Sequence, residues 1–126
     1  MTDSATSTQT VLAFYEHAVK NRDFAAAARF LAPAYIQHRS DADDGAEGLR
    51  EFIDRMKVAY PYGQYEIKRT FADGDYVILH VHVVREPGTR GSAHIDIFRV
   101  DHGKVAEHWD VDEPIPAEIA NSYGPF

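Results

Sequence analysis

The chain has no cysteine in its 126 residues. Disulfides, thiolate catalysis and cysteine-ligated zinc are therefore excluded. Positive charge is scarce: 13 lysines and arginines stand against 20 aspartates and glutamates, for a formal net charge of -7. Nucleic acid, which is bound by basic side chains neutralising phosphates, is a poor match for that balance. No apolar run approaches the roughly 20 residues that a membrane span needs. The polar start, Met1 to Thr10, lacks the basic head and apolar middle of a secretory signal. The cytoplasm is the expected compartment. There is no glycine-rich phosphate loop, no Walker sequence and no nucleophile elbow, and Ser92 and Thr89 have no visible partner for nucleophilic catalysis.

What is present reads as a single domain over residues 1–126, with a short mobile leader at 1–7 and a C-terminal tail at 113–126. Val11, Leu12, Tyr15, Ala18 and Val19 recur at helical spacing. Asn21 ends that helix, and Asp23 caps an alanine-rich second one, Phe24 to Ala32, stopped by Pro33. Tyr35 to His38 is a short extended piece. Asp44 can cap a third helix, with Glu47 in capping-box position and an apolar stripe of Leu49, Phe52, Ile53, Met56 and Tyr60. The second half alternates as strands over 64–72, 75–86, 90–101 and 104–112, with turns at Asp73-Gly74, Pro87-Gly88 and Asp101-His102-Gly103. Tyr65, Ile67 and Phe71 share one side of the first strand. Helices followed by a meander give an α+β domain with the helices on one sheet face.

The chemistry concentrates in those strands. His94, Asp96 and Phe98 share one strand face, His108 and Asp110 share another, and His80 and His82 repeat the pattern upstream. A three-residue loop at 101–103 pairs Val100 with Lys104, Asp96 with His108 and His94 with Asp110. That register gathers the polar core residues, including His80, on one face. Val77, Leu79, Val81 and Val83 then fall on the opposite face with Ile95, Ile97, Trp109 and Val111. So broad an apolar face predicts a second copy of the chain as its cover, hence a homodimer through the outer sheet face.

Asp96 is the foremost candidate: a carboxyl in an apolar cavity suits the taking and returning of a proton. His80 and His108 are candidate acid or oxyanion partners. Tyr35, His38, His82, Asp110 and Phe98 are candidate substrate-binding groups, with Tyr35 and His38 at the cavity mouth. A metal set drawn from His80, His82, Asp96 and His108 is conceivable, but its spacing matches no strong signature, and no metal or other cofactor is expected. Three readings remain open: a cofactor-free acid/base enzyme, a binding protein for an apolar small molecule, and a metal-dependent enzyme.

Tyr35-Ile36-Gln37-His38, Asp73-Gly74-Asp75, His80-Val81-His82, Asp96-Ile97-Phe98-Arg99-Val100 and the run from Gly103 to Val111 together resemble the SnoaL-like polyketide cyclase branch of the nuclear transport factor 2-like superfamily. The likeness extends into the tail through Pro114, Pro116, Asn121-Ser122 and Phe126. It implies a cone-shaped fold, N-terminal helices packed in a strongly curved mixed or antiparallel sheet, usually dimeric through that sheet. It also implies a cofactor-free pocket for a small apolar carbonyl compound and an activity such as aldol condensation or isomerisation. An aspartate at the place of Asp96 would move the proton and a histidine would polarise the carbonyl. Arg39-Ser40 stands where the branch usually shows Asn-Pro, and Glu113 where it often shows Gln.

Overall fold

The computed structural model describes residues 3–126. Helix α1 (Ser4–Tyr15) starts on Asp3, whose carboxylate accepts from the Thr6 N–H at 2.9 Å and satisfies one free donor of the first turn. The leader expected at 1–7 is therefore helical from Ser4 onward, with Ser7 fully buried; residues 1 and 2 lie outside the described residues. A π-helical turn, Glu16–Lys20, carries the chain to Asn21. Asp23 caps α2 (Phe24–Ala27), accepting from Ala26 N at 3.2 Å.

Helix α2 is shorter than its alanines predict. After one 3-10 turn, strand β1 (Leu31–Gln37) begins, because Leu31 is drawn beside Val105 in a parallel ladder. Pro33 sits inside β1, where the register slips between Leu31 and Ile36. A residue without an N–H is tolerated there because β1 is an edge strand. Helix α3 (Gly45–Ala59) starts at Asp44, but the capping box is not formed: Glu47 turns to Arg50, and Asp44 contributes only its carbonyl, to Gly48 N at 3.2 Å.

Four long strands follow: β2 (Gln64–Asp73), β3 (Tyr76–Val84), β4 (Ser92–Asp101) and β5 (Lys104–Pro114). The sheet order is β1-β5-β4-β3-β2, parallel between β1 and β5 and antiparallel elsewhere. The helices pack on the inner face.

Register explains most of the departures from expectation. Asp73 pairs with Tyr76, so the first hairpin loop is Gly74-Asp75, one residue later than expected, with Gly74 at φ 60. A bulge at Lys68 reverses the facing of β2. Tyr65 and Ile67 point inward, while Phe71 pairs with Ile78 and is 58% exposed. The β4–β5 loop has two residues, not three. His102 (φ 49) and Gly103 (φ 73) both have positive φ, the requirement of a type I′ turn, and Asp101 pairs with Lys104. Val100 therefore pairs with Val105, Asp96 with Asp110 and His94 with Asp112. An extra residue at Ala106 compensates for the shorter loop, so Asp96, His108 and Asp110 still share the inner face.

The β3–β4 register overturns one expectation outright. Leu79 lies opposite Asp96, and directly opposed residues share a face. Val77, Leu79 and Val81 are thus inner core with no exposed surface, each stabilising the fold by about 1.5–3 kcal/mol. His80 and His82 are on the outer face. The connection over 85–91 is too long for a turn type to dictate facing, so alternation alone left two choices. Its closure needs Gly91, at φ 73, where an added Cβ would stand 2.1 Å from the Val83 carbonyl oxygen. Gly91→Ala is expected to lower unfolding free energy by at least the roughly 1–3 kcal/mol of a strained backbone, measured by urea denaturation. An unchanged midpoint would show that the β3–β4 closure relaxes freely.

Candidate active site

Strand alternation builds the inner wall. From β1 and its continuation, Tyr35, Gln37 and Arg39 point inward; from β4, His94, Asp96 and Phe98; from β5, His108 and Asp110. Phe14, Tyr15, Phe52, Ile53 and Met56 of the helices face them across a cavity of about 740 Å³, its open mouth included.

Asp96 and His108 are both buried, and His108 Nε2 lies 2.8 Å from Asp96 Oδ1. The Phe98 ring packs on the imidazole at 4.7 Å between centroids. On the far side, His108 Nδ1 meets Gln37 Oε1 at 2.8 Å. That oxygen also accepts from the Arg39 backbone N–H at 3.0 Å, and Gln37 Nε2 donates to the Tyr35 hydroxyl at 2.7 Å. A flipped amide would set its own N–H against that of Arg39, so the carbonyl end is the one His108 meets. His108 Nδ1 must then carry a hydrogen. The contact with Asp96 is left with one proton, on Nε2 as an imidazolium–carboxylate pair or on Oδ1 as a neutral pair. Asp96 Oδ2 has no other hydrogen-bond partner among the described residues. Burial, followed by the charges of Asp110 and Asp96, pushes the Tyr35 phenol far above its usual range. Burial and Asp96 do the same to Tyr15. Both tyrosines stay protonated and able to donate.

The second carboxylate, Asp110, is answered by Arg39, whose Nη1 donates to Oδ2 at 2.8 Å. Burial opposes the Arg39 charge, but the bonds and charges of Asp110 and Asp41 outweigh it and hold the guanidinium above its ordinary pKa. Side-chain atoms of Asp96, His108 and Asp110 lie within 4.8 Å of one another and could reach a metal. Both ring nitrogens of His108 and one oxygen of each carboxylate are already engaged, and a metal there would displace His108 from Asp96 or stand beside the Arg39 guanidinium. His80 and His82 take no part in that cluster.

His94, buried at 4% exposure, bonds Ser92 Oγ at 2.9 Å. Burial lowers its pKa, Arg85 adds to the effect, and Asp96 and Asp112 oppose it.

Three expected placements are not met. His38 lies on the outer face, stacked on Trp109 at 4.9 Å and bound to Glu107 at 2.7 Å. Tyr35 and His38 are an odd number of residues apart, so an extended chain cannot aim both inward. His80 contacts Arg69 and Phe126, and His82 contacts the Arg90 carbonyl and Phe126, all away from the cavity. The tail therefore brings its last ring over the outer side of β3. Asp96, His108, Tyr35, Asp110 and Phe98 are brought together. Gln37 and Arg39 were missed, although the period-two run Tyr35, Gln37, Arg39 carried the signal.

Helices packed against a mixed five-stranded sheet give the nuclear transport factor 2-like class of α+β fold. Within it, the SnoaL-like domain matches residues 11–108, and the chain belongs to that family. TsrD from Streptomyces laurentii superposes with a TM-score of 0.73 at 21% identity over 90% of this chain and 92% of its own. A Bacillus cereus protein provisionally named a polyketide cyclase gives 0.74 at 19% over 86% and 74%. IdmH of Streptomyces antibioticus, provisionally named likewise, gives 0.69 at 17% over 85% and 91%. Such identities show the fold. No curated protein matches the chain. Among the described residues no helix is long and apolar enough to cross a membrane.

The lowered His94 pKa has a signed consequence. Below about 6.5, the ordinary histidine value, the unfolded chain binds a proton that the folded chain resists, so stability falls as pH drops below that point. His94→Gln is expected to flatten that slope, read from urea midpoints across the window. A slope unchanged by the substitution would remove His94 as its source.

Proposed function

We propose that the protein is a cofactor-free acid/base enzyme acting on a small, largely apolar carbonyl compound, of the aldol-condensing, cyclising or isomerising kind. The observation that carries this reading is the buried Asp96–His108 contact of 2.8 Å on the cavity wall. With His108 as imidazolium, Asp96 is a carboxylate whose Oδ2 can take the proton from a carbon beside the carbonyl. The resulting enolate oxygen would accept from Tyr35 O–H, itself held by Gln37. Asp96 then returns the proton to carbon or to the new alkoxide. Charge changes are confined to groups fixed in advance, so little reorganisation opposes the step. Names given to similar structures, polyketide cyclases among them, support the reading at the level of the family.

The test is exchange of the methyl protons of 2-acetylnaphthalene in D2O, followed by NMR. The wild type should accelerate exchange, and Asp96→Asn should lose at least about 100-fold, the lower end of what a positioned base contributes. His108→Gln should lose less, and circular dichroism should report intact folds. Exchange at the wild-type rate in Asp96→Asn would end the assignment. A cavity that binds the ketone but never exchanges it would favour the binding-protein reading.

A second copy of the chain is proposed as the cover of the outer face. Ile95, Ile97, Trp109 and Val111 form one apolar strip there, and Tyr76 and Val111 are 46% and 69% exposed. The Phe126 ring covers only the His80–His82 end. Light scattering is expected to give twice the 14.2 kDa chain mass, and Ile97→Asp combined with Val111→Asp is expected to give the monomer with its helical signal intact. A wild-type monomer at high micromolar concentration would exclude the dimer.

A further inference from the structure

The cavity reverses the charge balance of the chain around it. Overall, 20 acids outnumber 13 bases. The lining holds Arg22, Arg39 and Arg85 against Asp96 and Asp110. Two of the three arginines are committed. Arg39 neutralises Asp110. Arg22 donates to the carbonyls of Tyr60 and Pro61 at 2.5 and 2.9 Å, where the C-terminal end of α3 presents partial negative charge. Asp96 is matched by His108.

Arg85 is left over. It follows the last residue of β3 and, two positions after Val83, points into the same space. Its Nε is buried with no hydrogen-bond partner, and among the described residues it makes no ion pair. Its guanidinium lies over the face of Tyr60, at 5.7 Å from the ring centroid, and its charge acts on His94. That ring contact involves a face of the guanidinium and uses none of its N–H groups. A cation half inside an apolar cavity, beside a histidine that burial keeps neutral, has lost water without gaining a counter-ion. Arginine is also the side chain whose donors best fit a carboxylate, by two parallel hydrogen bonds.

We propose that the cavity's ligand carries an organic carboxylate and that Arg85 is its counter-ion. The acid/base reading above supplies the other end of the molecule: a carbonyl near Asp96 and Tyr35, and a carboxylate at the Arg85 side of the cavity. The ligand is then a keto acid of compact, apolar body. This inference rests on that reading for the carbonyl alone; the anion site stands on the unmatched charge.

Calorimetry with 2-naphthoate and 2-acetylnaphthalene, near-isosteric probes of which only the first is charged, tests it. The wild type is expected to bind 2-naphthoate at least about tenfold tighter, as a charge-assisted bond replaces a neutral contact. Arg85→Gln should abolish that preference and leave the affinity for the ketone unchanged. Arg85→Lys should retain part of it, and Arg39→Gln gives the comparison for a charge already spent. Equal affinity of the wild type for the two probes, or a preference that survives in Arg85→Gln, overturns the proposal. The proton-exchange assay separates the two claims. Exchange without a naphthoate preference removes the carboxylate site alone. A preference dependent on Arg85 without any exchange upholds the site and removes the acid/base chemistry.

Discussion

A buried aspartate is tolerable only if something answers its charge, and much of the local architecture follows from the answer. Asp96 is answered by His108, His108 is oriented by Gln37, and Gln37 is held by the backbone of Arg39 and the hydroxyl of Tyr35. Those residues come from β4, β5 and β1, so the chain of hydrogen bonds needs β1 to run alongside β5. The short alanine helix gives way to strand at Leu31 to achieve this. The extra residue at Ala106 serves the same end: without it the two-residue turn would aim His108 away from Asp96. A buried pair of this kind is weak evidence for stability, since removing two charges from water costs several kcal/mol per ion.

The sheet separates two environments. Inward lie the valines of β3 and the polar groups that line the cavity. Outward lie the aromatic and aliphatic strip around Trp109 and the histidines His38, His80 and His82. The inner arginines continue the same accounting of charge. Arg39 neutralises Asp110, Arg22 is held by backbone carbonyls at the end of α3, and Arg85, at the end of β3, faces the cavity beside the Tyr60 ring and His94 without an ion pair among the described residues. Specificity for a ligand's charged end and reactivity toward its carbonyl would thus be set by different strands.

Much of this was legible in the order of residues. Amphipathic spacing, caps at Asp23 and Asp44, and turn residues at Gly74 and Gly103 locate the elements to within a few positions. Alternation places Asp96 with Phe98 and His108 with Asp110. Those signals are local: they depend on neighbours a turn or a hairpin away. Residue order also sets which groups exist to be paired, and the absence of cysteine and the excess of acids bound the chemistry before any folding. Tertiary structure alone decided which face is inside. The 85–91 connection leaves both facings of β3 open, and only the better burial of Val77, Leu79 and Val81 sends His80 and His82 outward. The partners of His108 were beyond reach for a related reason. Gln37 and His108 stand 71 positions apart and meet through a parallel pairing that no local turn encodes, since parallel strands are matched by packing across the whole domain.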